Sequence, residues 1–305
     1  GRNVTIGGTV SGAGSTGGTI LLGGGTSTIG TFATGTLASV SLGGGSLTAG
    51  LASSGRSFGS SAAIVRLSEM NMGAGGSLRL GADSISQLTG TFTNLGAGTK
   101  FVKESGYGTL SYRFVNGGTV MPDVEVKQGF LNVFVNEANT GTISGTIGSI
   151  TRNGGGQLFL FNSGTGAAAG PVAVGSTQLV KGQIVGPWAI ARLGGTYGFL
   201  TTNSGTAALA TTTTLAASTN DTSGTNNYFY SMANINLTLT GTVIASTFTM
   251  DAVQGGSIIL GPLFKTNAIL YPRVSTGSIG TSASSRVTIP GAADEKSLII
   301  YNAGN

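Results

Sequence analysis

The sequence predicts an all-β chain, an elongated right-handed parallel β-helix (β-solenoid) with irregular rungs of about 20 residues. Three observations predict it. Glycine supplies 55 of 305 residues with no collagen-like period, well over twice the average usage of about 7%. Short apolar stretches alternate at period two and end at Gly, Asn, Asp or Ser, the pattern of half-buried strands. Gly-Gly pairs then punctuate those stretches at Gly7, Gly17, Gly24, Gly44, Gly75, Gly117, Gly155, Gly194 and Gly255. An immunoglobulin-like sandwich also turns often, but it closes at about 100 residues around buried aromatics, whereas one tryptophan serves this whole chain. Stacked rungs fit better, because each contacts only its neighbours. Roughly fifteen rungs spaced about 4.8 Å apart would follow.

Taken in order, the strand signals are NVTIGGTV, GTILLG, SLRLG, GTLSYRF, DVEVKQG, FLNVFV, QLFLF, INLTLTGTV, GSIILG, RVTI and SLIIY. In NLTLTGTV, Leu237, Leu239 and Val243 share one face while Thr238, Thr240 and Thr242 share the other, a threonine ladder outside an apolar seam. The best helix candidates are 61–72 (SAAIVRLSEMNM) and the single turn 292–297 (AADEKS). Pro262, Pro272 and Pro290 mark turns or edge positions, since proline cannot donate to a ladder. Domain organisation follows: a β-solenoid block over 1–185, an insert or spacer over 186–231 with a GPWA strand and a polar threonine-rich run, and a second block over 232–305.

Composition removes many functions. Hydrophobic residues reach 39% and mean hydropathy is +0.27, too apolar for a disordered chain. Charged residues make up only 8%, and the net charge of +5 comes from scattered bases such as Arg2, Arg56, Arg66, Arg79, Lys100, Lys103, Arg113 and Lys127. A nucleic-acid binder would gather them into a patch, so no nucleic-acid partner is expected. Cysteine and histidine are absent, which removes disulfides, thiolate catalysis, a Ser-His-Asp triad and an ordinary catalytic zinc site. No apolar run approaches the roughly 18 residues of a transmembrane helix. The opening GRNVTIGG carries no charged-then-apolar signal segment, so a processed chain or a piece of a longer one is expected.

The stretch TKFVKESGYGTLSYRFVNGGTVMPDVEVKQGFLNVFV (99–135) resembles the autotransporter-associated β-strand repeat. Lys103, Gly106, Gly108, Thr109 and Leu110 match its first half, Gly117 and Gly118 its turn, and Gly129, Leu131 and Val133 its end. The Asn-Thr-Tyr turn of that repeat is replaced by Phe114-Val115-Asn116. The later GPWAIARLGGTYGFL, its threonine-rich run and INLTLTGTV are similar to the spacer of giant surface β-solenoid proteins of planctomycete-like bacteria. These resemblances imply a secreted or surface-anchored β-helical passenger, extracellular or on the cell surface, with no active site to carry over.

Little else offers chemistry. Asp123 and Glu125 point to one side of a short strand with Lys127 next in line. They read as a solvated charged edge that blunts strand pairing, with glycoside hydrolysis as the rival reading. Asp83, Asp123, Asp221, Asp251 and Asp294 lie far apart in sequence and match no calcium-roll repeat. LLGGGTSTIG (21–30) lacks the lysine of a phosphate loop, since no lysine precedes Lys100. The sequons at Asn3, Asn220 and Asn236 are what a threonine-rich chain produces by chance. Phe130, Phe134, Phe159 and Phe161 are expected in the core. Tyr228, Phe229 and Tyr230, after the polar run, are expected to lie partly on a contact surface, and a sugar-stacking platform is the alternative for all seven.

The functional expectation is therefore an extracellular structural or adhesive β-solenoid without enzyme activity or cofactor, a segment of a bacterial surface fibre that self-associates head-to-tail. Its expected joints are Val4, Ile6 and Val10 at one end and Leu298, Ile299, Ile300 and Tyr301 at the other. Cell-surface glycans or neighbouring cells are the expected partners. The alternative is a carbohydrate-binding or carbohydrate-cleaving β-helix.

Overall fold

In a computed structural model the described residues form strands, turns and extended chain, with no helix among them. The structure describes residues 4–10, 19–22, 26–32, 35–42, 46–49, 64–72, 75, 77–81, 87–89, 92–93, 95–105, 109–114, 119–135, 143–162, 169–233, 237–254, 257–260, 263–271, 278–281, 287–288 and 299–302. The chain divides into two compact units. The first comprises Gly1–Thr177, Arg192–Thr196 and Thr202–Ala207, and the second Gln178–Ala191, Tyr197–Thr201 and Ala208–Asn305.

The first unit is a β-solenoid built from parallel ladders. Its first ladder stacks Val4–Val10, Thr26–Phe32, Ser46–Ala49, Ser77–Gly81, Lys100–Ser105, Asp123–Val126 and Ile150–Arg152. The second ladder stacks Thr19–Leu22, Gly35–Leu42, Ile64–Met72, Gln87–Thr89, Thr109–Arg113, Phe130–Val135 and Gln157–Asn162. Along the first ladder the chain returns from Val4 to Ser27, Leu47, Leu78, Phe101, Val124 and Ile150, steps of 20 to 31 residues. Rungs longer than the expected 20 explain why this ladder has seven strands among the described residues.

A third ladder opens partway along. The nine-residue strand Ile64–Met72 is answered in the next rung by two shorter strands, Gln87–Thr89 on its first half and Phe92–Thr93 on its second. Later rungs keep that break, and Thr119–Val120, Ile143–Ile147 and Ala169–Val174 form the extra ladder. Residues 64–72 are thus strand, not the helix for which 61–72 was a candidate. Ile64 and Val65 are β-branched, and partners on both sides (Val65 with Gly35 and Leu88) settle the conformation, because tertiary pairing overrides a weak local preference. The turn expected at 292–297, and Pro262, Pro272 and Pro290, lie outside the described residues.

Strand parity fills the interior. Phe130–Val135 and Gln157–Asn162 both alternate half-buried with buried residues. Leu110, Leu131 and Leu158 stack in register, as do Tyr112, Val133 and Leu160, and all six are buried. Beside them Phe92, Phe101, Tyr112 and Phe114 form an aromatic cluster with ring centroids 5.5–6.1 Å apart. Such pairs contribute roughly 0.5–1.5 kcal/mol each beyond burial. Burial drives the Tyr112 phenol far above its ordinary ionisation range. Gly145 completes this layer: a Cβ there would fall inside the Phe114 ring, so the rung closes only on a bare backbone.

The second unit is a three-ladder solenoid in its own right. Asn227–Ala233, Leu237–Thr238 and Thr242–Ile244 make one rung; Thr247–Gln254, Ser257–Leu260 and Leu263–Lys265 the next; Ala268–Tyr271, Ser278–Thr281 and Val287–Thr288 a third. Ile299–Asn302 then lies on Ala268–Tyr271. Steps of 20 and 21 residues, from Tyr228 to Phe248 to Ile269, meet the expected rung length, and the last return to Ile300 takes 31. The core gathers Leu215, Tyr228, Tyr230, Leu239, Val243, Ala245, Phe248, Met250, Phe264 and Ile269. Phe248 and Phe264 meet edge to face at 5.3 Å.

The polar run expected as an insert or spacer is hydrogen-bonded along this solenoid. Thr213–Thr214 pairs with Tyr228 and Phe229, Asp221 bridges Val243, and Thr240 N–H donates to the Ala217 carbonyl at 3.0 Å. It is a strand-poor first turn. Among the described residues no helix is long and apolar enough to cross a membrane.

Candidate functional site

Period-two alternation places four phenylalanines on the outer side of the first unit's second ladder. Leu131, Val133 and Val135 point inward, so Phe130, Asn132 and Phe134 point outward; Leu158 and Leu160 point inward, so Gln157, Phe159 and Phe161 point outward. Register sets Phe130 beside Gln157, Asn132 beside Phe159, and Phe134 beside Phe161. Phe134 and Phe161 meet edge to face at 5.3 Å, Phe159 and Phe161 lie tilted to each other at 5.8 Å, and the Arg192 guanidinium lies 5.1 Å from the Phe161 ring centre. These rings are half-buried rather than in the core, which corrects the expectation from sequence. On the first strand the physical reason is Asn132: turned inward, it would need a partner in an aliphatic stack of Leu131, Val133 and Val135. The second strand carries an amide on each side, Gln157 outside and Asn162 buried, and its orientation follows from register with the first.

At the corner where the first ladder hands over to the second, a cleft of ≈ 470 Å³ crosses three successive rungs. Thr109 lines it from one rung, Gln128, Gly129 and Phe130 from the next, and Gly155 and Gln157 from the third. Gly129 turns the chain with φ 69°, and Gly154, at φ 130°, approaches the Lys127 carbonyl so closely that no Cβ fits. Gly155 has open space before it. Sequence reading missed Gln128, Gly155 and Gln157. The usable signal was the pair of corners KQGF and GGGQ, whose small residues leave a gap that long amides flank.

The paired carboxylates sit elsewhere. Their strand, Asp123–Val126, is no edge, because it pairs with Lys100–Ser105 on one side and Ile150–Arg152 on the other. Asp123 accepts the Ser149 N–H at 2.8 Å. Glu125, only 8% exposed, accepts Asn153 Nδ2 at 3.1 Å and faces Lys100 Nζ at 3.5 Å. The expectation of a solvated edge gives way to a polar seam that ties three rungs together.

In the second unit Asp221 organises the turn Asp221–Asn226. Its Oδ1 accepts the Ser223 N–H at 2.8 Å, an Asx turn, and its Oδ2 accepts Asn226 Nδ2 and the Tyr228 hydroxyl, both at 2.8 Å. Desolvation pushes the Asp221 carboxyl up, but the Ser223, Asn226 and Tyr228 hydrogen bonds outweigh it and hold the group down at about 2. The Tyr228 phenol is pushed up to about 12, by burial first and by the Asp221 carboxylate second. Tyr228 and Tyr230 are 4% and 8% exposed and belong to the core, so of the trio expected at a contact surface only Phe229 faces outward, half-buried.

The expected joints fall at ladder ends. Val4, Ile6 and Val10 pair with Ser27, Ile29 and Phe32, and Ile299, Ile300 and Tyr301 with Ala268, Ile269 and Leu270. Among the described residues neither strand has a second neighbour; Leu298 lies outside the described residues. No family model, no curated protein and no solved structure matches the chain.

Proposed function

We propose that the chain is a structural or adhesive β-solenoid of the bacterial cell surface or extracellular space, a segment of a fibre that stacks head-to-tail. The observation that carries this reading is the fold itself: parallel strands stack rung on rung in both units, with side chains of one rung bonded to the next. A ladder of stacked rungs is continued by another copy in the same way, and a non-closing head-to-tail contact propagates as a filament. The commitment of Asp123 and Glu125 to contacts between rungs supports a scaffold. The resemblance of 99–135 to a surface-protein repeat supports the location.

Dynamic light scattering and negative-stain electron microscopy across a concentration series test the assembly. Filaments that lengthen with concentration are expected, and Ile300→Pro, which removes a donor from the edge strand, should abolish them while circular dichroism stays β-rich. Monodisperse single chains at every concentration would count decisively against stacking.

A further inference from the structure

We infer that the corner cleft of the first unit binds a neutral oligosaccharide, laid across the rungs and stacked on Phe130. The inference rests on the adhesive reading and names the chemistry of the partner. Among the described residues that line it none is charged: Thr109 offers a hydroxyl, Gln128 and Gln157 offer amides, Phe130 offers a ring, and Gly129 and Gly155 offer bare backbone.

That set suits a sugar in each part. An aromatic ring provides an apolar face for the C–H side of a pyranose, and a few convergent polar groups fix orientation in a mostly preformed concavity. An amide donates and accepts at once, which matches hydroxyls that also do both. The cleft crosses three rungs, a span of about 10 Å at the usual strand spacing, and so takes an extended chain better than a single small molecule.

The same features disfavour other occupants. Phosphate backbones need cations, and the lining has none among the described residues. Acidic glycans need them too. An extended peptide adds to a free strand edge, yet the strands flanking this cleft, Thr109–Arg113 and Phe130–Val135, both have ladder neighbours on each side.

Gly155 provides a clean test, because it lines the cleft with no atom within 4 Å of an added Cβ and without a positive φ. Isothermal titration of the full chain would use cellohexaose, laminarihexaose, maltohexaose and xylohexaose, with hexagalacturonate as the acidic control. At least one neutral hexasaccharide should bind one to one, and Gly155→Tyr should weaken it at least tenfold with an unchanged melting midpoint. Phe130→Ala should weaken it comparably. No binding by any neutral sugar, equal binding by the Gly155→Tyr protein, or tighter binding of hexagalacturonate would each overturn the assignment. Filament growth is scored separately with no sugar present, so failure of the cleft and failure of stacking are distinct results.

Discussion

Two aromatic sets in this molecule look alike in sequence and sit on opposite sides of their strands. In FLNVFV and QLFLFN the rings of Phe130, Phe134, Phe159 and Phe161 face outward, while in NYFYSMA the rings of Tyr228 and Tyr230 face the core. The difference is not ring chemistry, since the phenols, with a hydroxyl to satisfy, are the ones inside. It is what shares their face. Asn132 lies in a phenylalanine row, opposite an unbroken Leu131, Val133, Val135 row, and the next strand follows it in register. Tyr228 brings its own partner, the Asp221 carboxylate, into the turn above it. A polar group is turned outward where no partner waits inside, and is tolerated inside where one does.

Truncating a ring from each side tests that contrast with the largest effect. Phe101→Ala and Phe248→Ala, both fully buried, should each lose about 3–5 kcal/mol. Phe159→Ala should lose about 1 kcal/mol, the worth of a half-buried ring contact. Urea denaturation followed by far-ultraviolet circular dichroism reads all three. A Phe159→Ala loss equal to that of Phe101→Ala would mean that the phenylalanine row is core after all.

The next effect has the opposite sign. Asn132 Oδ1 is buried among the outward rings and has no hydrogen-bond partner among the described residues. An unpaired buried acceptor costs roughly 1–3 kcal/mol, so Asn132→Val should raise stability by about 1 kcal/mol. It should also leave an uninterrupted apolar strip on the surface, and faster self-association on storage is the expected consequence. A destabilised Asn132→Val protein would show that the amide has a partner after all.

Most of this fold was legible. Period-two runs and Gly-Gly corners carry the parallel rungs, because each corner needs small residues and each strand needs one apolar side. Rung length was legible where turns are tight, as from Tyr228 to Phe248, and not where a return takes 31 residues, as from Leu47 to Leu78. The orientation of the phenylalanines was legible in principle through Asn132, and not in QLFLFN, where an amide lies on each face. It was missed because ring size was weighed above the polar residue in the same row. The burial of Glu125 was not legible: its partner Asn153 lies 28 residues away, a distance fixed by rung length alone. The cleft, likewise, exists only once three corners are stacked.

Tyr228→Phe sharpens the contrast on the phenol's side. It removes the 2.8 Å bond to Asp221 Oδ2 while leaving the ring in place, and stability should fall by about 0.5–1.5 kcal/mol, read as a lower denaturation midpoint. An unchanged midpoint would mean that the tyrosine is held by packing alone, as the outward phenylalanines are.

The smallest effect is a dependence on pH. The Asp221 carboxyl titrates at about 2 in the folded chain and near 3.9 in an unfolded one. A depressed folded value means that the unfolded chain takes up the proton first as pH falls. The stabilisation is therefore complete above about pH 4 and is lost progressively between about pH 4 and pH 2. Because the turn is largely open to solvent, the amount is expected to stay below about 1 kcal/mol. Asp221→Asn keeps an acceptor for the Ser223 N–H but has no charge to titrate, so the gap between the two proteins should narrow across that window and vanish near pH 2. A gap that stays constant from pH 5 to pH 2 would show that Asp221 acts through its shape and hydrogen bonds rather than its charge. Tyr228 would then be held by a neutral contact, and the rule that a partner inside decides the face would need no electrostatic part.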